Sequence, residues 1–589
     1  MPPPPNPPMA WASDAVAELL RRLELPYLSL NPGASYRGLH DSLVNYLGNE
    51  RPQMLLCLHE EHAVALAHGY AKVTEAPLAV ALHSNVGLMH ATMALYNAFC
   101  DRVPMLVLGA TGPVDAALRR PWIDWIHTSA DQGALIRDYV KWDDQPASVA
   151  AALEAIVRAN AITRSYPRAP VYVCLDAALQ ERPLAHPPAL PDLARHRPLT
   201  PSGGDGAAVA AAAEILARAS RPLLLIGRVS RDAGAWEARV ELAEALGAVV
   251  LTDLKVGASF PSRHRLHPVA AATFLPEAAA ELLRAADAVL ALDWVDLGGT
   301  LTTAFGEDPP AAKIISVSGD FALHNGWSKD HFALAPTDLA IDAHPDAFVA
   351  ELLARRRAGG QAPAPRPDWP PPPDPAATAP WGEGTPQGGP ITLAELAASL
   401  RDALAGRNSC LVRVPLGWSG DDWPFAGPLD YLGQDGGAGL GSGPGMAVGG
   451  ALALAQSDRL AVAVLGDGDF LMGATALWTA ARYRLALLVV VANNRSFLND
   501  EMHQERVALA RERAVENRWV GQAISDPDPD LATLARSLGL RGFGPLDTRA
   551  QLAASLAEAV AAVAAGAAAV VDVHVLAGAY PGASAEGQA

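Results

Sequence analysis

Cysteine is scarce in this chain of 589 residues, and its four copies are too far apart in sequence to form a Cys-x-x-Cys pair: Cys57, Cys100, Cys174 and Cys410. Neither a zinc ribbon nor a disulfide framework is therefore expected, and a reducing, cytoplasmic setting fits best. Positively charged residues are also few: the chain has 45 Lys and Arg but 63 Asp and Glu. A nucleic-acid binder usually carries a basic face, so no nucleic-acid partner is expected.

Long hydrophobic runs are missing as well. The longest apolar stretches, residues 485–492 and 559–571, are too short or too rich in Gly and Ala to span a membrane. The first residues, MPPPPNPPMAW, lack the basic and apolar regions of a signal peptide. Half of the residues are hydrophobic, which excludes a largely disordered chain. We therefore expect a folded protein with no membrane partner.

Two proline-rich stretches, about 181–204 and 359–390, read as linkers and divide the chain. They predict domains over residues 10–185, 205–356 and 390–580, with a proline-rich tail over 1–9 and a linker over 359–389. Each block alternates short β-branched runs with longer Ala- and Leu-rich runs. Strands that are apolar on both faces and alternate with helices indicate parallel sheets. The predicted fold is α/β, with three consecutive domains of parallel sheet flanked by helices.

The third block places oxygen donors after two successive apolar runs. Gly466-Asp467-Gly468 ends one predicted strand and opens a helix, and Asn494 ends the next strand. The carboxyl ends of parallel strands bind ligands, and free N–H groups at a helix start favour phosphate. A carboxylate, an amide oxygen, phosphate and water suit Mg²⁺. Gly-Asp-Gly alone is a common turn, so the pairing with Asn494 carries the prediction.

This pair resembles the diphosphate-binding motif of thiamine diphosphate (ThDP) enzymes, which begins with Gly-Asp-Gly and ends with Asn-Asn. The resemblance implies that Asp467, Asn494 and the carbonyl of Ser496 hold Mg²⁺. It also implies a set of cofactor contacts: Glu60, Gly466, Asp467, Gly468, Asp469, Asn494 and Ser442.

A second stretch, residues 58–110, resembles the pyrimidine-binding domain of the same family, most closely benzoylformate decarboxylase and next acetolactate synthase. Counting nine residues back from Gly69 selects Glu60 as the catalytic acid that hydrogen-bonds the aminopyrimidine. Such an acid must be partly buried and protonated. The alternative, that the carboxylate stabilises a solvated helix start, is assigned to Glu61.

Two further catalytic candidates follow from the resemblance. His83 matches a family active-site histidine, with a structural role as its alternative. Asp500 lies six residues after Asn494, where pyruvate decarboxylases have an acid, and its alternative role is an N-cap. Asn97 and Asp101 are interpreted as fold contacts. Four other histidines are interpreted as structural: His59, His62, His68 and His90.

The chain departs from the family at two positions. Ala34 stands where benzoylformate decarboxylase has a serine after Asn-Pro-Gly, with Ser35 beside it. Ser442 occupies the position of the bulky residue that wedges the cofactor into a bent shape. Either Leu440 or Met446 is then expected to replace it through a shifted loop, or the bend is held in another way.

The resemblance implies a ThDP- and Mg²⁺-dependent decarboxylase or lyase that acts on a 2-oxo acid through a C2 ylide and an enamine. The alternatives are an acetolactate synthase-like carboligase, which is a transferase, and a ThDP-binding protein without strong catalysis. The partners are a small 2-oxo acid or aldehyde and a second subunit, so a homodimer is the minimum and a homotetramer is expected. The central block shares only its architecture with the family, and no feature in it indicates FAD.

Overall fold

The computed structural model describes residues 8–320, 335–359 and 390–576. The predicted tail therefore lies outside the described residues over 1–7, the predicted linker over 360–389, and the end of the third predicted domain over 577–580. Each block forms one parallel sheet with helices packed against it, so the predicted three-domain α/β fold is confirmed.

The first domain has a six-stranded sheet in the order β2-β1-β3-β4-β6-β5. Its strands are β1 (Tyr27–Leu30), β2 (Gln53–Leu56), β3 (Ala79–Leu82), β4 (Met105–Thr111), β5 (Trp142–Asp144) and β6 (Pro170–Asp176). Its helices are α1 (Ala12–Arg22), α2 (Arg37–Asp41), α3 (Glu60–Thr74), α4 (Ser84–Cys100), α5 (Ile123–Ile126), α6 (Val149–Arg164) and α7 (Ala177–Gln180).

The second domain has a five-stranded sheet in the order β11-β10-β9-β7-β8. Its strands are β7 (Pro222–Ile226), β8 (Val249–Thr252), β9 (Ala288–Leu292), β10 (Lys313–Val317) and β11 (Leu339–Ile341). Its helices are α8 (Gly206–Arg218), α9 (Ala233–Leu246), α10 (Glu277–Ala285), α11 (Leu297–Phe305) and α12 (Pro345–Ala358).

The third domain has a five-stranded sheet in the order β12-β13-β14-β16-β15. Its strands are β12 (Ser409–Arg413), β13 (Leu460–Gly466), β14 (Leu487–Asn493), β15 (Arg541–Leu546) and β16 (Ala568–His574). Its helices are α13 (Leu393–Ala403), α14 (Gly443–Leu454), α15 (Asp467–Gly473), α16 (Leu477–Tyr483), α17 (Leu498–Ala510), α18 (Leu531–Ser537) and α19 (Arg549–Ala564).

The central strands of the third sheet are apolar on both faces, because helices cover both. All seven residues of β14 are buried, and in β13 only its two terminal residues are partly exposed. Val and Leu favour such strands, since their side chains pack well on a pleated surface. The burial therefore follows directly from the Val- and Leu-rich sequence.

Helices α3 and α14 join the first and third domains at backbone contact distance. A Cβ on Gly69 would overlap the carbonyl oxygen of Met446, and one on Gly449 would overlap that of Leu66. Glycine is needed at both positions, because any side chain would push the helices apart. One hydrophobic core consequently runs from the first sheet through these helices into the third.

Within the described ranges, no helix combines the length and apolarity needed to cross a membrane.

Candidate active site

Strand register brings the two oxygen-donor segments of the third domain together. Gly466 at the end of β13 pairs with Ala492 near the end of β14, so Asp467 and Asn494 follow neighbouring strands at one edge of the sheet. This is the carboxyl edge, where α/β sheets bind their ligands.

Asp467 is the buried carboxylate at this edge, with only 3% of its surface exposed. Burial raises its pKa to about 6, against the opposing effect of backbone N–H groups that include those of Gly468, Ser496 and Arg495. Its Oδ2 atom has no hydrogen-bond partner among the described residues. A buried, unpartnered carboxylate oxygen is unfavourable unless a cation or other ligand faces it. The residue therefore fits a metal ligand.

The turn after β14 holds the other two predicted metal ligands. Asn494 Oδ1 accepts a hydrogen bond from the backbone N–H of Ser496 at 3.0 Å. The Ser496 hydroxyl donates to the Glu501 carboxylate. Arg495, which lies between Asn494 and Ser496, has a left-handed φ of 59°. The turn is thus held on both sides, beside Asp467. Carboxylate, amide and carbonyl oxygens are the donor set that Mg²⁺ prefers.

The two glycines of Gly-Asp-Gly have different roles. A Cβ on Gly468 would come within 2.5 Å of the Phe497 ring, so this glycine lets the turn after β14 pack against α15. A Cβ on Gly466 would meet no atom within 4 Å. The space in front of Gly466 is therefore open, as a phosphate group beside Asp467 would require.

Asp469 anchors the glycine-rich loop that precedes α14. Its Oδ1 atom accepts the backbone N–H groups of Gly441 at 2.7 Å and Gly443 at 3.2 Å. Its Oδ2 atom lies 3.8 Å from Arg413, which also pairs with Asp435 at 3.1 Å. The Asp469 carboxylate therefore holds the loop, and its contact with the cofactor stays a prediction.

Ser442 does not project from this loop as a cofactor wedge would. It is 1% exposed, and its hydroxyl donates to Asp435 at 3.1 Å and accepts from Asn97 at 3.2 Å. Met446 is fully buried, whereas Leu440 is 37% exposed. Of the three positions considered from sequence, only Leu440 presents a bulky side chain at the surface of the loop.

Glu60 is the first residue of α3 and faces α4. Its side chain is 9% exposed, and its Oε2 atom lies 3.1 Å from His90 Nδ1. A Cβ on Gly87 would lie 3.2 Å from Oε1, so the glycine leaves room for the carboxyl group. Glu60 is thus a buried carboxyl at the carboxyl edge of the first sheet. Its partner His90 belongs to its own domain.

Glu61 faces the third domain instead. A Cβ on Gly441 would lie 3.7 Å from its Oε1 atom. Burial and, second, the charge of Asp469 raise its pKa. Glu61 lies in the first turn of α3, as interpreted from the sequence, and it is partly exposed beside the glycine-rich loop.

His83 ends β3 and is held in one orientation. Its Nδ1 atom lies 2.9 Å from Ser35 Oγ and 3.3 Å from Ser35 N. Because the Ser35 backbone N–H donates to Nδ1, this nitrogen is an acceptor. The Ser35 hydroxyl, which accepts the Ser84 N–H, therefore donates to Nδ1 as well, and the ring proton is assigned to Nε2. Burial and, next, the neighbouring ring of His127 lower the His83 pKa. A neutral imidazole results, and its Ser35 contact was not predicted from the sequence.

The four histidines interpreted as structural divide into two groups. His62 and His68 are buried, as expected of structural residues. The interpretation is wrong for His90, whose side chain is 58% exposed and faces Glu60. His59 caps α3 by accepting the Glu61 N–H at 3.2 Å, and its ring stacks on His90.

Asp500 lies exposed in the first turn of α17. Phe497 is the N-cap of this helix, so the alternative that Asp500 is an N-cap is wrong. The neighbouring residues Asn499 and His503 line a cavity of about 360 Å³ between the three domains. Glu501 is buried and serves the fold by accepting the Ser496 hydroxyl.

Asn97 and Asp101 make the fold contacts expected of them. Asn97 exchanges hydrogen bonds with the backbone of Gly439 at 3.2 Å. Asp101 accepts from Lys72 at 2.7 Å and lies 2.8 Å from His68. Both residues tie α4 of the first domain to other buried elements.

Ion pairs occupy the carboxyl edge of the central sheet. Arg228 lies 3.2 Å from Asp293 and 2.6 Å from Asp320, and Asp320 also accepts from Arg102 at 2.7 Å. These contacts join the central domain to the first.

Three family models match the chain in the order of its domains. They are the thiamine pyrophosphate enzyme N-terminal TPP binding domain over residues 10–135, the central domain over 209–334 and the C-terminal TPP binding domain over 416–573. Together they cover most of the chain.

Similar proteins include decarboxylases and synthases. The chain is 27% identical over 569 residues to the benzoylformate decarboxylase of Pseudomonas aeruginosa, covering 94% of this chain and 97% of that protein. It is 32% identical over 103 residues to the acetolactate synthase large subunit of Lactococcus lactis, covering 17% of each.

The fold also matches solved structures. The crystal structure of benzoylformate decarboxylase from Polynucleobacter necessarius superposes with a TM-score of 0.78 at 19% identity, covering 97% of this chain and all of that one. The three domain matches, their order and the full-length similarity agree with one another. The chain belongs to the thiamine pyrophosphate enzyme family.

Proposed function

We propose that this protein is a ThDP- and Mg²⁺-dependent decarboxylase or lyase that acts on a 2-oxo acid. The observation that carries the proposal is the buried Asp467 carboxylate beside the turn of Asn494 and Ser496, whose Oδ2 atom has no hydrogen-bond partner in the part of the chain that the structure describes. A diphosphate-bound Mg²⁺ supplies the positive charge that this carboxylate lacks. The full-length similarity to a benzoylformate decarboxylase supports the choice of substrate class.

The chain's own residues divide the work between two half-sites. Asp467, Asn494 and the Ser496 carbonyl bind Mg²⁺, and the cofactor diphosphate occupies the open space at Gly466. When bound, ThDP supplies a thiazolium that accepts the electron pair released with CO₂. Glu60, which is 7% exposed at the start of α3, is proposed to hydrogen-bond the aminopyrimidine.

His83 and Asp500 are proposed to act on the substrate. The Ser35 contact to Nδ1 leaves the His83 Nε2–H free to donate to a substrate carboxylate or carbonyl oxygen. Asp500 is exposed at the start of α17 and can exchange a proton with solvent between turnovers. Leu440 is proposed as the wedge beside the cofactor, because it is the bulky exposed residue of the loop.

The proposed site is shared between two copies of the chain. Apolar side chains are exposed beside both half-sites: Leu58 and Met89 near Glu60, and Leu440 and Met472 near the glycine-rich loop. Apposing these faces in a homodimer buries the apolar groups and brings Glu60 to the cofactor of the other subunit. A tetramer is the proposed larger assembly, and the four free thiols support a reducing compartment such as the cytoplasm.

The alternative is a carboligase that joins two carbonyl compounds, as the similarity to an acetolactate synthase indicates. Ala34 supports keeping this alternative, because benzoylformate decarboxylase has a serine there. The same carbanion equivalent serves both reactions, so product analysis separates them. An aldehyde and CO₂ indicate a decarboxylase, whereas a 2-hydroxy ketone from pyruvate indicates a carboligase.

The experiment measures CO₂ release from a panel of 2-oxo acids by the holoenzyme and by Glu60→Gln. We expect the variant to lose at least ~100-fold in kcat, because the amide has no acidic proton to share with the pyrimidine. Calorimetry should still detect ThDP binding, since the Mg²⁺ ligands are untouched.

The matched control is Glu61→Gln, the same change one residue along. Its carboxylate faces Gly441 rather than His90, so activity should stay within a few-fold of the parent. Full activity of Glu60→Gln, or failure of the parent to bind ThDP with Mg²⁺, would overturn the proposal.

A further inference from the structure

We propose that the cofactor-free protein binds a transition-metal ion such as Zn²⁺ between His59, Glu60 and His90, and that this ion and ThDP exclude each other. The site itself stands on the geometry of these three side chains. The exclusion rests on the proposed function, because it assigns the Glu60 carboxyl group to the cofactor.

The three side chains converge from α4 and from the start of α3. His90 Nδ1 lies 3.1 Å from Glu60 Oε2, and the His59 and His90 rings stack with centroids 4.8 Å apart. One ligand atom from each residue lies within 4.8 Å of the other two. Ligand atoms of tetrahedral zinc are ~3.4 Å apart at bond lengths of 2.0–2.2 Å. Side-chain rotations that move the ligand atoms by ~1 Å would therefore bring all three within bonding distance of one ion.

The histidines are available as ligands. The His59 ring is partly exposed at the start of α3. Its Nδ1 atom accepts only a long hydrogen bond from Glu61 N, at 3.2 Å, which an ion could replace. The ion would then replace one helix-capping contact. Zinc binds neutral imidazole and carboxylate together in many proteins.

A third imidazole, that of His62, packs beside the cluster. His62 is 5% exposed, and its ring lies 5.4 Å from that of His59. Its Nδ1 atom is buried and has no hydrogen-bond partner among the described residues. His62 is not among the three residues whose ligand atoms converge, so it lines the cluster without being one of its proposed ligands.

The types of donor atom determine which metal each of the two sites prefers. Asp467, Asn494 and Ser496 offer oxygen only, which suits Mg²⁺. Two imidazoles and one carboxylate favour Zn²⁺ or Co²⁺ over Mg²⁺. A transition metal therefore selects His59, Glu60 and His90, and by occupying Glu60 it holds the protein in an inactive form.

The cluster is open to ions in the free chain. The His90 side chain is 58% exposed, whereas that of Glu60 is 9% exposed behind it. An ion can therefore enter past His90. A cofactor seated against Glu60 closes the same route.

Co²⁺ is the probe, because its visible absorption reports nitrogen coordination in the cofactor-free protein. We expect one Co²⁺ per chain. His90→Ala and His59→Asn should each weaken binding by about tenfold or more. Asparagine preserves the helix-capping acceptor at position 59, so this variant stays folded. His186→Ala, which changes an exposed histidine in another segment, should bind as the parent does.

Absorption in His90→Ala equal to that of the parent, or no absorption by the parent at millimolar Co²⁺, would overturn the site. A second titration adds ThDP and Mg²⁺ to the cobalt-loaded parent, and the cobalt bands should disappear. Bands that persist while calorimetry records ThDP binding would overturn the exclusion. Absence of ThDP binding would overturn the proposed function instead, and the cobalt titration would then decide the metal site alone.

Discussion

Replacing Asp469 by alanine should destabilise the third domain more than any exposed acidic substitution. The carboxylate is 5% exposed and accepts two backbone N–H groups, from Gly441 at 2.7 Å and Gly443 at 3.2 Å. It also lies 3.8 Å from the buried guanidinium of Arg413. The alanine variant leaves both N–H groups without an acceptor and removes part of the charge that balances Arg413.

The size of the effect follows from these contacts. Removing one partner of a buried ion pair costs about 3–5 kcal/mol, and an unsatisfied buried N–H costs about 1–3 kcal/mol. These contributions overlap, because they involve one carboxylate, so we expect a total loss of ~3–5 kcal/mol. Asp469→Asn keeps an oxygen acceptor and loses only the charge. It should therefore fall between alanine and the parent.

Urea unfolding, followed by tryptophan fluorescence, measures the change through the transition midpoint at constant slope. Asp528→Ala is the control, because its carboxylate is 56% exposed and should shift stability by no more than about 0.5 kcal/mol. Calorimetry with ThDP then tests whether the loosened loop also weakens cofactor affinity. An Asp469→Ala midpoint equal to that of the parent would refute the anchoring role.

Three other predictions concern packing, pH and the loop. Gly449→Ala should lower the melting temperature, because its Cβ overlaps the Leu66 carbonyl and overpacking costs about 1–3 kcal/mol, whereas Gly206→Ala meets no atom within 4 Å and should not. Burial lowers the pKa of His267 from 6.5 to about 4, so up to ~3 kcal/mol of the free energy of unfolding should be lost as pH falls through this range. In His267→Gln the melting temperature should depend less on pH over the same range. Leu440→Ala should reduce kcat in steady-state assays without changing the melting temperature; an unchanged kcat would contradict the wedge assignment.

The strands that could be predicted from the sequence are mainly the fully apolar ones. The runs at 222–227 and 288–293 became β7 and β9 almost without change. Edge strands such as β5 and β15 were not predicted, because Trp-Asp-Asp and Arg-Gly-Phe-Gly-Pro-Leu show neither an apolar run nor alternation. The change from strand to helix at Gly466-Asp467-Gly468 was predicted, and β13 ends at Gly466 where α15 begins at Asp467.

The half-site at Asp467 was predictable because parallel strands place their ends together. The contacts of Ser35 with His83 and of His90 with Glu60 were not, since they join elements that are 48 and 30 residues apart. They depend on how each helix is rotated about its axis, and sequence spacing does not specify that rotation. The inward orientation of Ser442 was missed for the same reason.

The glycine contacts between α3 and α14 have a consequence for engineering. Two helices that touch through their backbones cannot be separated by cutting the proline-rich connections between domains. A fragment that carries only the first or only the third domain would expose half of a common core to water. Chimaeras of this protein should therefore exchange both helices as a single unit.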